Sequence, residues 1–168
     1  MTSRGSKTVR KNPPLDEAPE VTLIPDGKPG AGGSVLLFQV WKHTKDTFHE
    51  LPLATQEAVI GRTKAESIEF DKAHMPADSH VSRTTLEING KEFKIFRRNV
   101  PYGVVSDNGT LFIGFSSEQF RLEFMLRQMA GIGGPRDALT LYTEPLTGAY
   151  YFIPSVQALR RFAPPEMG

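Results

Sequence analysis

The chain has 168 residues, enough for one domain with a sizeable core. Hydrophobic content of 39% and charged content of 23% are those of a globular protein, and the net charge of +1 argues against a nucleic-acid-binding face. Cysteine is absent, which excludes disulfides, thiolate nucleophiles, cysteine-ligated zinc and iron–sulfur clusters, while haem held by a histidine stays open.

In chain order, residues 1–33 are polar and rich in Pro and Gly, with a short extended candidate at 21–24, and read as an irregular arm. The run 34–41 is apolar, β-branched and aromatic, which predicts a buried strand. A short helical turn is expected at 45–49, and a helix at 54–60 closed by Gly61. Residues 65–79 lack a period, contain Pro76 and read as a long loop. Asn89-Gly90 between 84–88 and 93–97 is a strong hairpin signal. A strand at 110–115 follows. Ser116-Ser117-Glu118-Gln119 then resembles a capping box ahead of an amphipathic helix carrying Leu122, Met125, Leu126 and Met129 at helical spacing. A last strand at 150–153 and a last helix at 155–162 complete the pattern. It predicts an α+β sandwich with helices on one face of an antiparallel sheet. No apolar run is long enough to span a bilayer, and the N-terminus has no apolar signal core, so a cytoplasmic location is expected.

Two segments carry the functional signal. His80 lies in Asp78-Ser79-His80-Val81-Ser82-Arg83, and Arg97 opens Arg97-Arg98-Asn99-Val100-Pro101-Tyr102-Gly103. This order resembles the dye-decolourising (DyP-type) haem peroxidases, as do Val59-Ile60-Gly61-Arg62-Thr63-Lys64 and the stretches 24–33 and 146–154. The likeness runs over about 12–154 and implies the second of two ferredoxin-like halves of a dimeric α+β barrel-type fold. It divides the chain into an arm at 1–33, a haem-binding domain at 34–163 and a tail at 164–168.

The resemblance implies haem b ligated by His80. A neutral imidazole ligates iron through one nitrogen while the other donates to a carboxylate, and Asp137 is expected to be that carboxylate because it opens a strand. Arg97 is the candidate on the peroxide side, since its fixed charge stabilises a peroxide anion. Alternation along a strand points Arg98 away from it and returns Asn99 to it. Arg62 is implied to grip a haem propionate. Each has a plainer alternative: a loop histidine, a surface ion pair for Arg97, a helix-end cation for Arg62 and an N-cap for Asp137. His43, His49 and His74 lack such context. Trp41 and the tyrosines at 102, 142, 150 and 151 are candidate radical relays, with packing the commoner role. Gly30-Ala31-Gly32-Gly33 is not a phosphate loop, because no Lys-Ser/Thr pair or helix follows.

The family's Gly-x-x-Asp-Gly motif is expected just upstream of Asn12, where residues 1–11 read otherwise. Suitable codons for His-Asp-Leu-Thr-Gly-Phe-Glu-Asp-Gly-Thr-Glu-Asn-Pro, read from the second base, give Met1 through Lys11, and one added base restores Asn12-Pro13. The expectation is a one-base insertion, with 1–11 an out-of-frame leader and the first half missing. The implied activity is reduction of hydrogen peroxide coupled to one-electron oxidation of dyes or other organic reductants, in a truncated and impaired form. The rival readings are a haem-binding fragment without turnover and a structural domain that dimerises. Neither nucleic acid nor membrane is an expected partner; a homo-oligomer is.

Overall fold

The computed structural model describes residues 12–44, 47–104 and 107–162. Four long strands form one antiparallel sheet: β1 (Ser34–His43), β4 (Phe96–Val104), β5 (Asp107–Ser116) and β6 (Thr143–Ile153), in the order β4-β5-β1-β6. Between β1 and β4 run α2 (Thr47–Glu50), α3 (Leu53–Ile60), α4 (His80–Arg83) and a small hairpin, β2 (Glu87–Ile88) with β3 (Lys91–Glu92). Between β5 and β6 run α5 (Gln119–Met129) and a 3-10 helix, Ala138–Leu141. Taking the four long strands alone, this is the split β-α-β arrangement of a ferredoxin-like α+β sandwich.

The register assigns each strand residue to a face. Arg97, Gly114, Leu37 and Tyr150 form one cross-strand row; Asn99, Phe112, Gln39 and Gly148 form the next. This inner face meets α5: Leu37, Phe112, Leu122 and Met125 form the buried core, with Val35, Trp41, Ile95, Leu126 and Met129 packed against it. The rows between point the other way and are nearly all apolar: Phe96, Phe115, Leu36 and Tyr151, then Arg98, Ile113, Phe38 and Ala149, then Val100, Leu111, Val40 and Thr147. Those side chains are half-buried or exposed, so the sheet has one filled face and one apolar open face.

Several expectations are corrected. The extended stretch expected at 21–24 is instead preceded and overlapped by a helix, α1 (Ala18–Thr22), with Pro19 in its first turn and Thr22 Oγ1 donating to Ala18 O at 2.8 Å. Ser117 N–H donates to Val21 O at 2.9 Å, tying α1 to the end of β5. The capping box does not form: Glu118 holds the N-cap position with no side-chain cap, and its N–H donates to Ser116 Oγ at 3.2 Å. Asp137 opens no strand but caps the 3-10 helix. β4 runs well beyond 97, through Pro101, which an edge strand tolerates because its N–H side needs no partner. The hairpin turns at Asn89 (φ 52) and Gly90 (φ 77), the positive angles a two-residue turn requires. The leader at 1–11 and the tail at 164–168 lie outside the described residues.

Candidate active site

The site is assembled from the α3–α4 segment, the inner edge of β4 and the start of the 3-10 helix. Helix α3 ends on Gly61, whose φ of +88° belongs to a left-handed cap, and its N–H donates to Glu57 O at 2.7 Å. A Cβ there would come within 2.8 Å of Met75 Sδ and 2.9 Å of Ser79 Oγ, so the returning chain packs directly on the glycine. Ser79, fully buried, caps α4: its Oγ accepts from Ser82 N–H at 3.3 Å and donates to Pro76 O at 2.8 Å. The next residue, the first of α4, is His80.

His80 Nδ1 lies 2.7 Å from Oδ2 of Asp137, and the His80 side chain is 27% exposed while that of Asp137 is 0% exposed. The other carboxylate oxygen accepts from Leu139 N–H at 2.9 Å. Asp137 is thus held from both sides by partners, which a buried charge requires. It is also fixed in place by its own N–H, which donates to Met129 O at 3.1 Å, and by Ala138 N–H donating to Asp78 O at 2.9 Å. A carboxylate at Nδ1 selects the Nδ1–H tautomer and leaves the Nε2 lone pair to the cavity.

His80, Arg97 and Asn99 line one cleft of about 870 Å³, and Arg62 is on its wall. Arg98 is not among its lining residues; it stands over the Phe96 ring at 5.8 Å. A smaller cavity of about 170 Å³, lined also by Trp41 and His43, opens off the same residues. Arg62 reaches the cleft with its Nη2 2.7 Å from Glu69 Oε1, both side chains largely buried. Asn12 grips the backbone of Arg97 twice, accepting from its N–H at 2.9 Å and donating to its carbonyl at 2.7 Å. The structure therefore brings His80, Asp137, Arg97, Asn99 and Arg62 into one place. Sequence reasoning missed Glu69, Asn12 and Arg121, which adds a third arginine to the cleft. Contacts formed 85 residues apart, like that of Asn12, have no local signature.

The other candidates lie apart from this arrangement or at its margin. His43 is bound through both ring nitrogens, to Asn108 Oδ1 at 2.9 Å and Thr110 Oγ1 at 3.2 Å. His74 bonds Asp71 Oδ1 at 2.8 Å and holds that exposed carboxyl below its ordinary value. Burial pushes the Tyr150 phenol above its ordinary value, and the Glu123 carboxylate adds to this. Among the described residues no cluster of three or more His, Asp or Glu could hold a bare metal ion, and no helix is long and apolar enough to cross a membrane.

The donor set fits a haem: one imidazole nitrogen fixed by a carboxylate, an apolar wall that includes Ile60, Val81 and Met125, and arginines at the rim for two propionates. The cleft volume falls within the ordinary range of about 300–1,000 Å³ for cofactor and ligand sites.

Comparison with known proteins gives the same direction. The family model described as Dyp-type peroxidase, C-terminal, matches residues 5–158. A dye-decolorizing peroxidase of Rhodococcus erythropolis is 35% identical over 156 residues, covering 89% of this chain and 46% of that relative. A dye-decolorizing protein from V. cholerae is 41% identical with a TM-score of 0.83, over 89% of this chain and 50% of that one. A variant of DypB from Rhodococcus jostii, solved in complex with haem, is 34% identical with a TM-score of 0.84, over 90% of this chain and 51% of that one. The chain spans about half the length of the curated relatives it matches. With a family match along nearly its whole length, the chain belongs to the Dyp-type peroxidases and carries their C-terminal, ferredoxin-like half.

Proposed function

We propose that this chain binds haem b through His80 and takes part in reducing hydrogen peroxide at the expense of an organic reductant oxidised one electron at a time. The observation that carries this reading is the sharing of one cleft by a carboxylate-buttressed imidazole and the Arg97–Asn99 pair. Bound haem supplies the redox chemistry. His80 Nε2 provides the ligand, and Asp137 holds the tautomer and raises the basicity of the ring. Arg97 keeps its charge at all working pH values and stabilises peroxide as an anion; Asn99, two residues on along the same face, offers a hydrogen bond to the same oxygen atoms. Arg62 grips one propionate while still paired with Glu69, which its five donors permit.

Peroxide must also lose a proton from one oxygen and gain one on the other. Arg97 cannot exchange protons, and the family's Gly-x-x-Asp-Gly does not occur in this sequence. General acid–base help is worth on the order of 10²–10⁴ in rate, so turnover by these 168 residues is weak, as in a truncated and impaired enzyme. Haem titration of the purified chain tests the reading: a Soret band is expected, with slow peroxide-dependent dye oxidation. A Soret band with no oxidation at any peroxide concentration leaves a haem-binding fragment, and no Soret band removes the haem reading altogether.

The second reading, a domain that self-associates as a homo-oligomer, is favoured by the open apolar face of the sheet. Two such faces stack about 10 Å apart in sheet packings, so a second copy of the chain is the occupant this reading commits to. The two readings are compatible, because haem would sit on the inner face.

A further inference from the structure

The larger and the smaller cavity share five residues: His80, Thr84, Arg97, Asn99 and Met125. Four of these offer nitrogen or hydroxyl groups. Met125 offers a thioether, a soft nucleophile that peroxide oxidises by oxygen transfer. Its position is unusual for such a group. It is only 3% exposed and belongs to the core with Leu37, Phe112 and Leu122, yet it forms wall in both cavities beside Arg97. It is shut off from bulk water and open to whatever small molecule the cleft admits.

We propose that Met125 is a modification site, oxidised to its sulfoxide by hydrogen peroxide that has entered the cleft, and that this is the built-in point of peroxide inactivation. The inference rests on the reading that peroxide enters beside Arg97. In the step, a sulfur lone pair attacks one peroxide oxygen and the O–O bond breaks. The proton of the transferred oxygen passes to the departing hydroxide, giving one water and one sulfoxide. Sulfur is oxidised by two electrons and peroxide is reduced by two. The Arg97 guanidinium stabilises the departing hydroxide as it forms. The product places a polar S=O group in the apolar contact between α5 and the sheet, where no partner awaits it. That loosens the inner face on which Arg97 stands.

The other methionines give an internal control. Met75 is half-buried with its Sδ 3.2 Å from Ser79 Oγ, and Met129 is half-buried and lines only the smaller cavity. Solvent exposure alone therefore ranks Met75 and Met129 ahead of Met125, and access through the cleft reverses the order. Trypsin separates all three: cleavage after Arg121 and Arg127 isolates Met125 in 122–127, cleavage at Arg136 isolates Met129 in 128–136, and Lys72 and Arg83 bound Met75 in 73–83.

The haem-loaded chain is treated with rising amounts of hydrogen peroxide, quenched, digested and analysed by mass spectrometry, with dye oxidation followed in parallel. Peptide 122–127 is expected to gain one oxygen several-fold faster than the other two, and Arg97→Leu to slow that gain. The haem-free chain, carried through the same series, gives the order set by exposure. Met125→Leu, a nearly volume-conserving change, is expected to need a several-fold larger peroxide dose before the Soret band halves. Oxidation of 73–83 or 128–136 first, or of all three together, overturns the proposal, as does an unchanged dose for Met125→Leu. If dye is oxidised while 122–127 stays unmodified, the inference falls and the peroxidase reading stands. If neither reaction occurs, both fall together.

Discussion

At the scale of single residues the site depends on two alternations. Along β4, successive side chains leave opposite faces, so Arg97 shares a row with core Leu37 while Arg98 shares one with Phe38 on the open face. This facing was legible in the sequence because a strand has a period of two. On the proposed function, Arg97→Leu should leave the Soret band in place and slow the reaction with peroxide by far more than Arg98→Leu. Loss of one oriented donor at developing charge typically costs on the order of 10²–10³. Stopped-flow rates for the two variants check it, and equal effects would place peroxide elsewhere. The second alternation is between the two nitrogens of His80, one given to Asp137 and one left to the cleft. His80→Ala should abolish the Soret band on haem titration, because His43 and His74 are committed to hydrogen bonds at the surface. A band of unchanged position and intensity would remove His80 from the ligand role. The Asp137 contact was reached in the sequence by an incorrect local argument. Asp137 begins a 3-10 helix, and its second oxygen is used for the cap, so the structural and the functional use of one carboxylate coincide.

At the scale of elements, sequence reading succeeded where periodicity or turn chemistry dominates. The helix at 119–129, the Asn89-Gly90 hairpin and the Gly61 stop are each set by local physics. It failed where tertiary contacts decide. The end of β4 was lost behind Pro101, which only edge position makes acceptable, and α1 formed in a segment too rich in Pro and Gly to suggest a helix. The ion pair of Arg62 with Glu69 is another such case, made across a loop by the bridge between those two residues. The α3–α4 segment supplies the test at this scale. Gly61 combines a left-handed φ with Met75 and Ser79 packed where a Cβ would stand. Gly61→Ala should cost about 1–2 kcal/mol for the backbone conformation alone, with more from the displaced Ser79. Because Ser79 caps the turn that begins with His80, haem affinity should fall together with the thermal midpoint. Thermal melts and haem titration of the variant measure both. A lowered midpoint with unchanged affinity would show that α4 holds its place without support from Gly61.

At the scale of the whole molecule the sheet is asymmetric. Its inner face is filled by α5 and carries the site, whereas its outer face presents Phe96, Phe115, Leu36, Ile113, Phe38, Leu111 and Val40 with Arg98 as the one charge in those rows. Strands about 4.8 Å apart, with residues about 3.3 Å apart along them, make this face on the order of 400 Å². That lies among the largest apolar patches soluble monomers expose, about 300–600 Å² and often functional. The sequence showed the apolar alternation on both faces but not that only one would be covered, since coverage depends on where the helices return. Self-association follows as the expected behaviour of the isolated 168-residue chain. Sedimentation or light scattering across a concentration series should show dimers or larger species at high micromolar concentration. Ile113→Glu places a carboxylate in the middle of the face, directly opposite Arg98 on the neighbouring strand, where the two can pair at the surface. A second copy stacking there would have to bury that charge, so the variant should be monomeric at the same concentration while retaining its fold by circular dichroism. The inner face is untouched, so haem titration of Ile113→Glu should match that of the parent chain. A parent chain that is monomeric throughout, or a variant that associates as strongly, would mean that the open face is not where copies of this protein meet.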